Sequence, residues 1–256
     1  MRYAIIPARF ASTRFPGKAL ALLAGKPLVV HVLERVEAAR VFDAIWVATD
    51  DERIAEAVRR AGGSARMTRA DHGSGTERIA EAAASLPADA LVCNVQGDEP
   101  LLPPALLRDL VAHMDADPTI ELATVGHPSV DAASLSSPNV VKVVCDNAGR
   151  ALYFSRAPIP HTGTRAPRYL RHVGIYAFRR RALTQFVQWA PGRLEQLEGL
   201  EQLRALENGM PIHVVVTQHD TIGVDTPEDL KAVASRLPRF LESSEIASQP
   251  PRGDAR

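Results

Sequence analysis

The stretch Tyr3-Ala4-Ile5-Ile6-Pro7-Ala8-Arg9 sets the reading of this chain, because an apolar run passes directly into a basic loop that also carries Arg14 and Lys18. Pro7, Pro16 and Gly17 stiffen that loop. Cations held this close together repel one another unless they are solvated or matched by anions, so a stiff segment bearing Arg9, Arg14 and Lys18 points to phosphate binding. The loop is not of the Walker type, since Ala19 follows Gly17-Lys18 and the earlier glycine of that motif is missing.

Outward from this point, strand-like runs at Tyr3 to Ile6, Ala44 to Ala48 and Ala90 to Val95 alternate with helical patterns at Pro27 to Arg40, Asp51 to Ala61 and Gly75 to Ser85. Such alternation predicts an α/β fold with a parallel sheet. Pro27 is expected in the first turn of its helix, with Leu28, Val32, Leu33 and Val36 facing the sheet, and Asp50 or Asp51 is expected to cap the next. Open sheets of this kind bind ligands outside the carboxyl ends of their strands, where both the basic loop and Gln96-Gly97-Asp98-Glu99-Pro100 fall.

The pattern changes after about residue 127. Asn139 to Asp146 and Arg150 to Ser155 read as a hairpin turning at Asn147-Ala148-Gly149, and His172 to Phe178 resumes a strand pattern. Leu194 to Glu207 reads as a helix interrupted by Gly199, and Thr226-Pro227-Glu228-Asp229 opens a last helix with Thr226 as cap. The organisation expected is one domain over residues 1–242, with an inserted region at about 127–170, and a disordered tail over 243–256 that has little to bury.

Composition narrows the function. The 256 residues are 46% hydrophobic with a formal net charge of zero, so the chain lacks the electrostatic footprint of a nucleic-acid binder or a membrane-surface protein. No run reaches the length of a spanning helix, and the apolar stretch near Met1 is too short for a signal peptide. Cys93 and Cys145 sit in separate apolar runs and read as buried free thiols. A cytoplasmic protein is expected.

Asp98 ends a buried strand and Asp225 precedes a capped helix; taken alone they are a turn former and a helix-start acid. Opposite a cationic loop, two strand-end carboxylates supply what magnesium-assisted phosphate chemistry needs. Asp71-His72-Gly73-Ser74-Gly75-Thr76-Glu77-Arg78 places small residues ahead of a helix, where backbone amides can approach a nucleotide. It lacks the third glycine of a dinucleotide fingerprint, which argues against a nicotinamide dehydrogenase. His72 reads either as a base or as a bridge across this turn.

In order along the chain, Ile6 to Lys18, Met67 to Arg78, Asn94 to Pro100, Tyr153-Phe154-Ser155-Arg156, Arg171 to Tyr176, Leu200 to Arg204 and Gly223 to Asp229 together resemble the 3-deoxy-manno-octulosonate cytidylyltransferase (CMP-Kdo synthetase) family over nearly the whole sequence. The resemblance implies a nucleotide-diphospho-sugar-transferase-like (Rossmann-like) mixed sheet flanked by helices, with an inserted dimerisation region and a homodimer. It implies transfer of CMP from CTP to the anomeric hydroxyl of Kdo, with release of pyrophosphate, for lipopolysaccharide biosynthesis. Pro7, Ala8, Arg9, Arg14 and Lys18 would hold the nucleotide's phosphates, with Ser74, Gly75 and Arg78 seating the nucleotide. Asp98 and Asp225 would bind Mg2+; Lys18 and Arg9 join them as the catalytic set, and no protein base is named. Gln96, Arg156, His172, Tyr176, Glu201 and Gln202 would hold the sugar acid, with the planar donors of Arg156 suited to a carboxylate.

Two departures stand out: Phe10 where Tyr is common, and Gly199 just before Glu201. The CMP-sialic acid synthetase type shares the Pro-Ala-Arg opening but usually continues with Gly-Gly-Ser-Lys-Gly, unlike Phe10-Ala11-Ser12-Thr13-Arg14 here. A nucleotide-sensing module without turnover is the non-enzymatic alternative, and intact Lys18, Asp98 and Asp225 argue against it. The motifs do not separate Kdo from its 8-amino analogue.

Overall fold

A computed structural model of the protein describes residues 1–11, 15–163 and 165–248. In chain order the first half comprises β1 (Arg2–Ala8), a short 3-10 turn (Lys18–Leu20), β2 (Leu22–Leu23), β3 (Lys26–Pro27), α1 (Leu28–Ala39), β4 (Ala44–Thr49), α2 (Glu52–Arg60), β5 (Ser64–Met67), α3 (Gly75–Ala82), β6 (Leu91–Asn94) and α4 (Pro104–Ala116). The second half comprises β7 (Leu122–Ser129), α5 (Ala132–Ser136), β8 (Lys142–Cys145), β9 (Ala151–Ser155), β10 (Tyr169–Arg179), α6 (Arg180–Gln188), α7 (Arg193–Glu198), α8 (Leu203–Glu207), β11 (His213–Val216) and α9 (Pro227–Ser248).

One sheet organises these elements, with strand order β11-β7-β10-β6-β1-β4-β5. The alternating segment gives the parallel pairs β1/β4, β1/β6 and β4/β5. Antiparallel β10, lying between β6 and β7, makes the sheet mixed. Because β1 pairs with β4 on one side and β6 on the other, the chain leaves β1 in opposite directions, and a crevice opens at the carboxyl ends of β1 and β6. The hairpin β8/β9 hangs off the main path against β10, and Gly149 at its turn takes φ +76°.

Alternation of side chains along β1 divides the core. Ala4 and Ile6 pack with Ile54 of α2 and Leu107 and Leu110 of α4, whereas Tyr3 and Ile5 pack with Ile79 of α3, Leu183 and Phe186 of α6, and Phe154. A smaller cluster of Leu23, Leu28, Leu101, Val224, Val233 and Leu237 ties α9 and the two loops that carry Asp98 and Asp225 to the start of α1. Among the described residues no helix is long and apolar enough to cross a membrane.

Several boundaries differ from expectation. Pro27 precedes α1 and pairs in β3 instead of entering the first turn. Of the two aspartates expected to cap α2, it is Asp51 that does so, its carboxylate accepting from the Arg53 amide. Gly199 does more than interrupt a helix: with φ +61° it ends α7, and the chain restarts as α8. Helix α9 continues to Ser248, past the start of the expected disordered tail, because Glu242 to Ser248 contains no helix breaker and elongation of a formed helix is cheap; residues 249–256 lie outside the described set. Cys145 is only half-buried.

Ile5 and Ile6 are both fully buried on opposite faces of the central strand. Replacing either with Ala is expected to cost about 2–5 kcal/mol in urea unfolding, since neither face can collapse onto the vacated volume without moving the sheet.

Candidate active site

The basic loop is closed by a backbone hydrogen bond from the Gly17 amide to the Phe10 carbonyl at 2.9 Å. Gly17 has φ +72°, and a Cβ there would lie 3.2 Å from the Phe10 ring, whose face is covered by the Arg53 guanidinium at 3.6 Å. The turn delivers Lys18 into the crevice, where its ammonium donates to Asp98 Oδ2 at 2.6 Å and Asp225 Oδ1 at 3.3 Å. Three segments remote in sequence thus meet on one cation. A Val224 amide bond to the Asp98 carbonyl at 2.8 Å fixes the two acidic loops to each other.

Around this point lies a cleft of ≈ 290 Å³ that gathers Pro7, Ala8, Arg9 and Lys18 with Ser74, Gly75 and Arg78 from the start of α3, and Gln96, Asp98 and Asp225. Arg14 lies outside the described residues. Gly75 and Gly97 hold their loops close to Pro7: a Cβ on Gly97 would stand 2.9 Å from the Pro7 carbonyl oxygen, and one on Gly75 3.2 Å from the Pro7 ring. Arg9 is exposed and can turn to an anion.

Arg78 lines the cleft and is also tied into its wall. Only 3% of its side chain is exposed; the guanidinium donates to Thr68 Oγ1 and the Arg69 carbonyl, and pairs with Asp50 at 3.3 Å. It braces the wall of the cleft. Ser74 caps α3 by accepting from the Glu77 amide at 3.2 Å, which leaves its own proton available to a ligand. His72 bridges to Glu81 and lies 3.9 Å from Glu77, so of the two readings of this histidine the structure gives the bridge.

Of the residues assigned to the sugar acid, only Gln96 lines this cleft; its amide donates to Asn94 Oδ1 at 3.2 Å. Asn94 is paired in register with Tyr176 of β10. From there a second cluster continues: the ring of His172 lies 5.5 Å from that of Tyr176 and 5.0 Å from that of Phe154. Thr124 has one hydroxyl proton and donates it to the Ile175 carbonyl at 2.8 Å, so it accepts from His172 Nε2 at 2.9 Å. The remaining nitrogen, Nδ1, is then an acceptor. Burial, and to a lesser degree Arg171, push the His172 pKa down to about 3, which keeps the ring neutral. Burial and then the nearby Glu201 charge push the Tyr176 phenol upward.

Arg156 spends three of its guanidinium donors on the carbonyls of Glu198, Pro138 and Gly199, at 2.8, 2.9 and 3.3 Å, and two of its five N–H groups remain. Gln202 is buried at the start of α8 and Glu201 lies just before it; Glu201 Oε1 and Gln202 Nε2 have no hydrogen-bond partner among the described residues.

Sequence reasoning missed the groups that hold this cluster. Glu198 accepts from Ser155 Oγ and the Arg156 amide at 2.6 and 2.9 Å, yet in sequence it looks like one more charge on an amphipathic helix. Fully buried Lys142 donates to the carbonyls of Ser137, Val140 and Arg156. A lysine within Val140-Val141-Lys142-Val143-Val144 was a readable sign of a buried cation.

The fold and cleft define a nucleotide-handling α/β domain, and the sequence model of the cytidylyltransferase family matches residues 3–212. The 3-deoxy-manno-octulosonate cytidylyltransferase of Geobacter metallireducens is 51% identical over 249 residues, covering 93% of this chain and 98% of its own. That of Geobacter sulfurreducens is 50% identical over 246 residues, covering 91% and 98%. A solved CMP:2-keto-3-deoxy-manno-octonic acid synthetase complexed with CTP superposes with a TM-score of 0.88 at 42% identity, covering 93% of this chain and 98% of its own. The chain belongs to the 3-deoxy-manno-octulosonate cytidylyltransferase family.

Two outcomes follow from the geometry. Gly97→Ala should lower CTP affinity by roughly 5- to 150-fold in calorimetry, the equivalent of about 1–3 kcal/mol of overpacking against Pro7; unchanged affinity would contradict the close approach. The pH effect of His172 has a definite sign. Unfolded, its imidazole takes a proton below 6.5, whereas folded it stays neutral down to about 3, so lowering the pH through that window destabilises the native state. The urea-midpoint gap between wild type and His172→Gln should therefore narrow as the pH falls from neutral to about 4, and a constant gap would argue for a solvated ring.

Proposed function

We propose that the cleft binds CTP and that the chain transfers its CMP group to the anomeric hydroxyl of Kdo, releasing pyrophosphate. The observation that carries this reading is the Lys18 ammonium held between Asp98 and Asp225 at the carboxyl edge of β1 and β6. A triphosphate brought beside two carboxylates needs more positive charge than the Lys18 ammonium supplies. Two oxygen donors with an open side suit a hard divalent cation, so Asp98 and Asp225 would hold Mg2+. The ion would neutralise phosphate charge and favour loss of the sugar hydroxyl's proton.

The chain's own groups do the rest. Arg9, Arg14 and Lys18 bind and neutralise the phosphates, while Pro7 and Ala8 set the backbone beside them. Ser74 and Gly75 offer a hydroxyl and free amides at the start of α3. The groups in the second cluster match a polyhydroxylated acid: two unspent Arg156 donors for its carboxylate, His172 Nδ1 and Glu201 Oε1 as acceptors, and Gln202 Nε2 as a donor. Gln96 lies between nucleotide and sugar, and Tyr176 supplies a protonated hydroxyl. Transfer of this kind relies on positioning and charge neutralisation, and no side-chain nucleophile is assigned.

The product would serve lipopolysaccharide biosynthesis in the cytoplasm. A homodimer formed through the 127–170 region would cover Val130 and Leu152, which are 70% and 62% exposed.

The test is pyrophosphate release from CTP and Mg2+ with Kdo, 8-amino-Kdo, N-acetylneuraminate or no sugar. Release is expected with Kdo, is abolished by a chelator, and falls on the order of 100-fold or more in Asp98→Asn. Near-normal turnover of that variant at saturating Mg2+ would remove Asp98 from the metal site; release only with another sugar would overturn the choice of Kdo, and CTP binding without release would favour a sensor.

A further inference from the structure

The nucleotide cleft and the second polar cluster belong to different parts of the chain, and one short hydrogen bond joins them. Thr76 is the second residue of α3, directly after Ser74 and Gly75 of the cleft wall. Its side chain is almost completely buried and is not among those that line the cleft. Its hydroxyl donates to Glu201 Oε2 at 2.6 Å across 125 residues of sequence.

A hydroxyl has a single proton, and here it is committed to one carboxylate oxygen. The other oxygen, Glu201 Oε1, is buried without a partner. A buried carboxylate with one oxygen satisfied and one open is poised toward a donor that arrives with a ligand, because leaving that oxygen unpaired is costly. Glu201 also lies close enough to Tyr176 for its charge to act on the phenol, so its carboxylate belongs to the second cluster while its tether belongs to α3.

We propose that Thr76 is a positioning residue that couples the two substrate sites: through Glu201 it transmits the seating of the nucleotide on the first turn of α3 to the sugar-acid site. A nucleotide that orders the start of α3 thereby holds Glu201 in the orientation the sugar acid needs. Linkage requires the converse, so bound sugar acid strengthens nucleotide binding by the same factor. This rests on the reading of Glu201 as a ligand of the sugar acid.

The test uses the full chain with CTP, Mg2+ and Kdo. Wild-type pyrophosphate release comes first, since its absence would overturn the assigned reaction and with it the coupling. Thr76→Val keeps the shape and removes the hydroxyl. It is expected to raise KM for Kdo about 10-fold or more, the scale of a hydrogen bond to a charged group, while the CTP dissociation constant measured without sugar stays within about 3-fold. Thr76→Ser restores the hydroxyl and should return KM for Kdo to near wild type. In a Glu201→Gln background, Thr76→Val should add little further loss, because Thr76 acts through Glu201. A wild-type KM for Kdo in Thr76→Val, a rise in the sugar-free CTP dissociation constant as large as that in KM for Kdo, failure of Ser to rescue, or full additivity with Glu201→Gln would each overturn the coupling while leaving the assigned reaction standing.

Discussion

The ion pairs of Lys18 join parts of the chain that are remote from one another in sequence. Its two carboxylate partners lie 80 and 207 residues away, on a strand-end loop and at the entrance to α9. Only 15% of the lysine side chain is exposed, so the pairs act in a medium less screening than water. Removing the cation would take away an attraction that draws the two carboxylates to one point, which favours separation of the loops that carry them. The apolar cluster of Leu101 and Val224 with Leu23 and Leu28 opposes that separation from behind. Packing thus fixes where the acidic loops stand, and Lys18 fixes how their oxygens converge.

The same division of labour recurs at Pro7. A sheet that changes direction at β1 leaves a crevice, but a crevice becomes a binding site only when its walls come close enough to surround a ligand. Gly75 and Gly97 permit this by offering no Cβ to Pro7 from either side. Capping then fixes the walls: Ser74 holds the start of α3, while Thr226 and Asp229 exchange bonds of 3.2 and 2.9 Å at the start of α9, with the Asp225 amide also bonded to Asp229 Oδ2 at 3.0 Å. Each helix start beside the cleft therefore has backbone donors satisfied by its own cap before any ligand arrives.

What sequence conveyed follows from the range over which each interaction acts. Strand and helix alternation, the Asp51 and Thr226 caps and the hairpin at Gly149 are local, and periodicity or turn chemistry reveals them. Strand β7 escaped because Leu122 to Ser129 contains Gly126 and Pro128, residues that read as breaks, although β10 and β11 pair with it on either side. The partners within the site are a matter of tertiary geometry. Lys18 was legible as a cation near phosphates but not as the partner of two carboxylates. Arg78 was legible as a cation at the nucleotide loop but not as the partner of Thr68 and Asp50. The roles given to Arg156, His172 and Glu201 came from family resemblance, since a lone arginine, histidine or glutamate carries no mark of its neighbours.

The two halves of the site are prepared in opposite ways. On the nucleotide side, charge is already paired: a cation lies between carboxylates, and a polyanion with its counter-ion can exchange into that arrangement without exposing an uncompensated charge. On the other side, polar atoms are buried with capacity unspent, at Glu201 Oε1 and Gln202 Nε2, beside a histidine kept neutral by burial. Unspent capacity of this kind is recovered by a partner whose donors and acceptors match it in register, so it favours specificity over general affinity. A site with one charge-exchanging half and one hydrogen-bond-deficient half can discriminate the acceptor more sharply than the phosphates, because phosphates are common to every nucleotide whereas the arrangement of sugar hydroxyls is not.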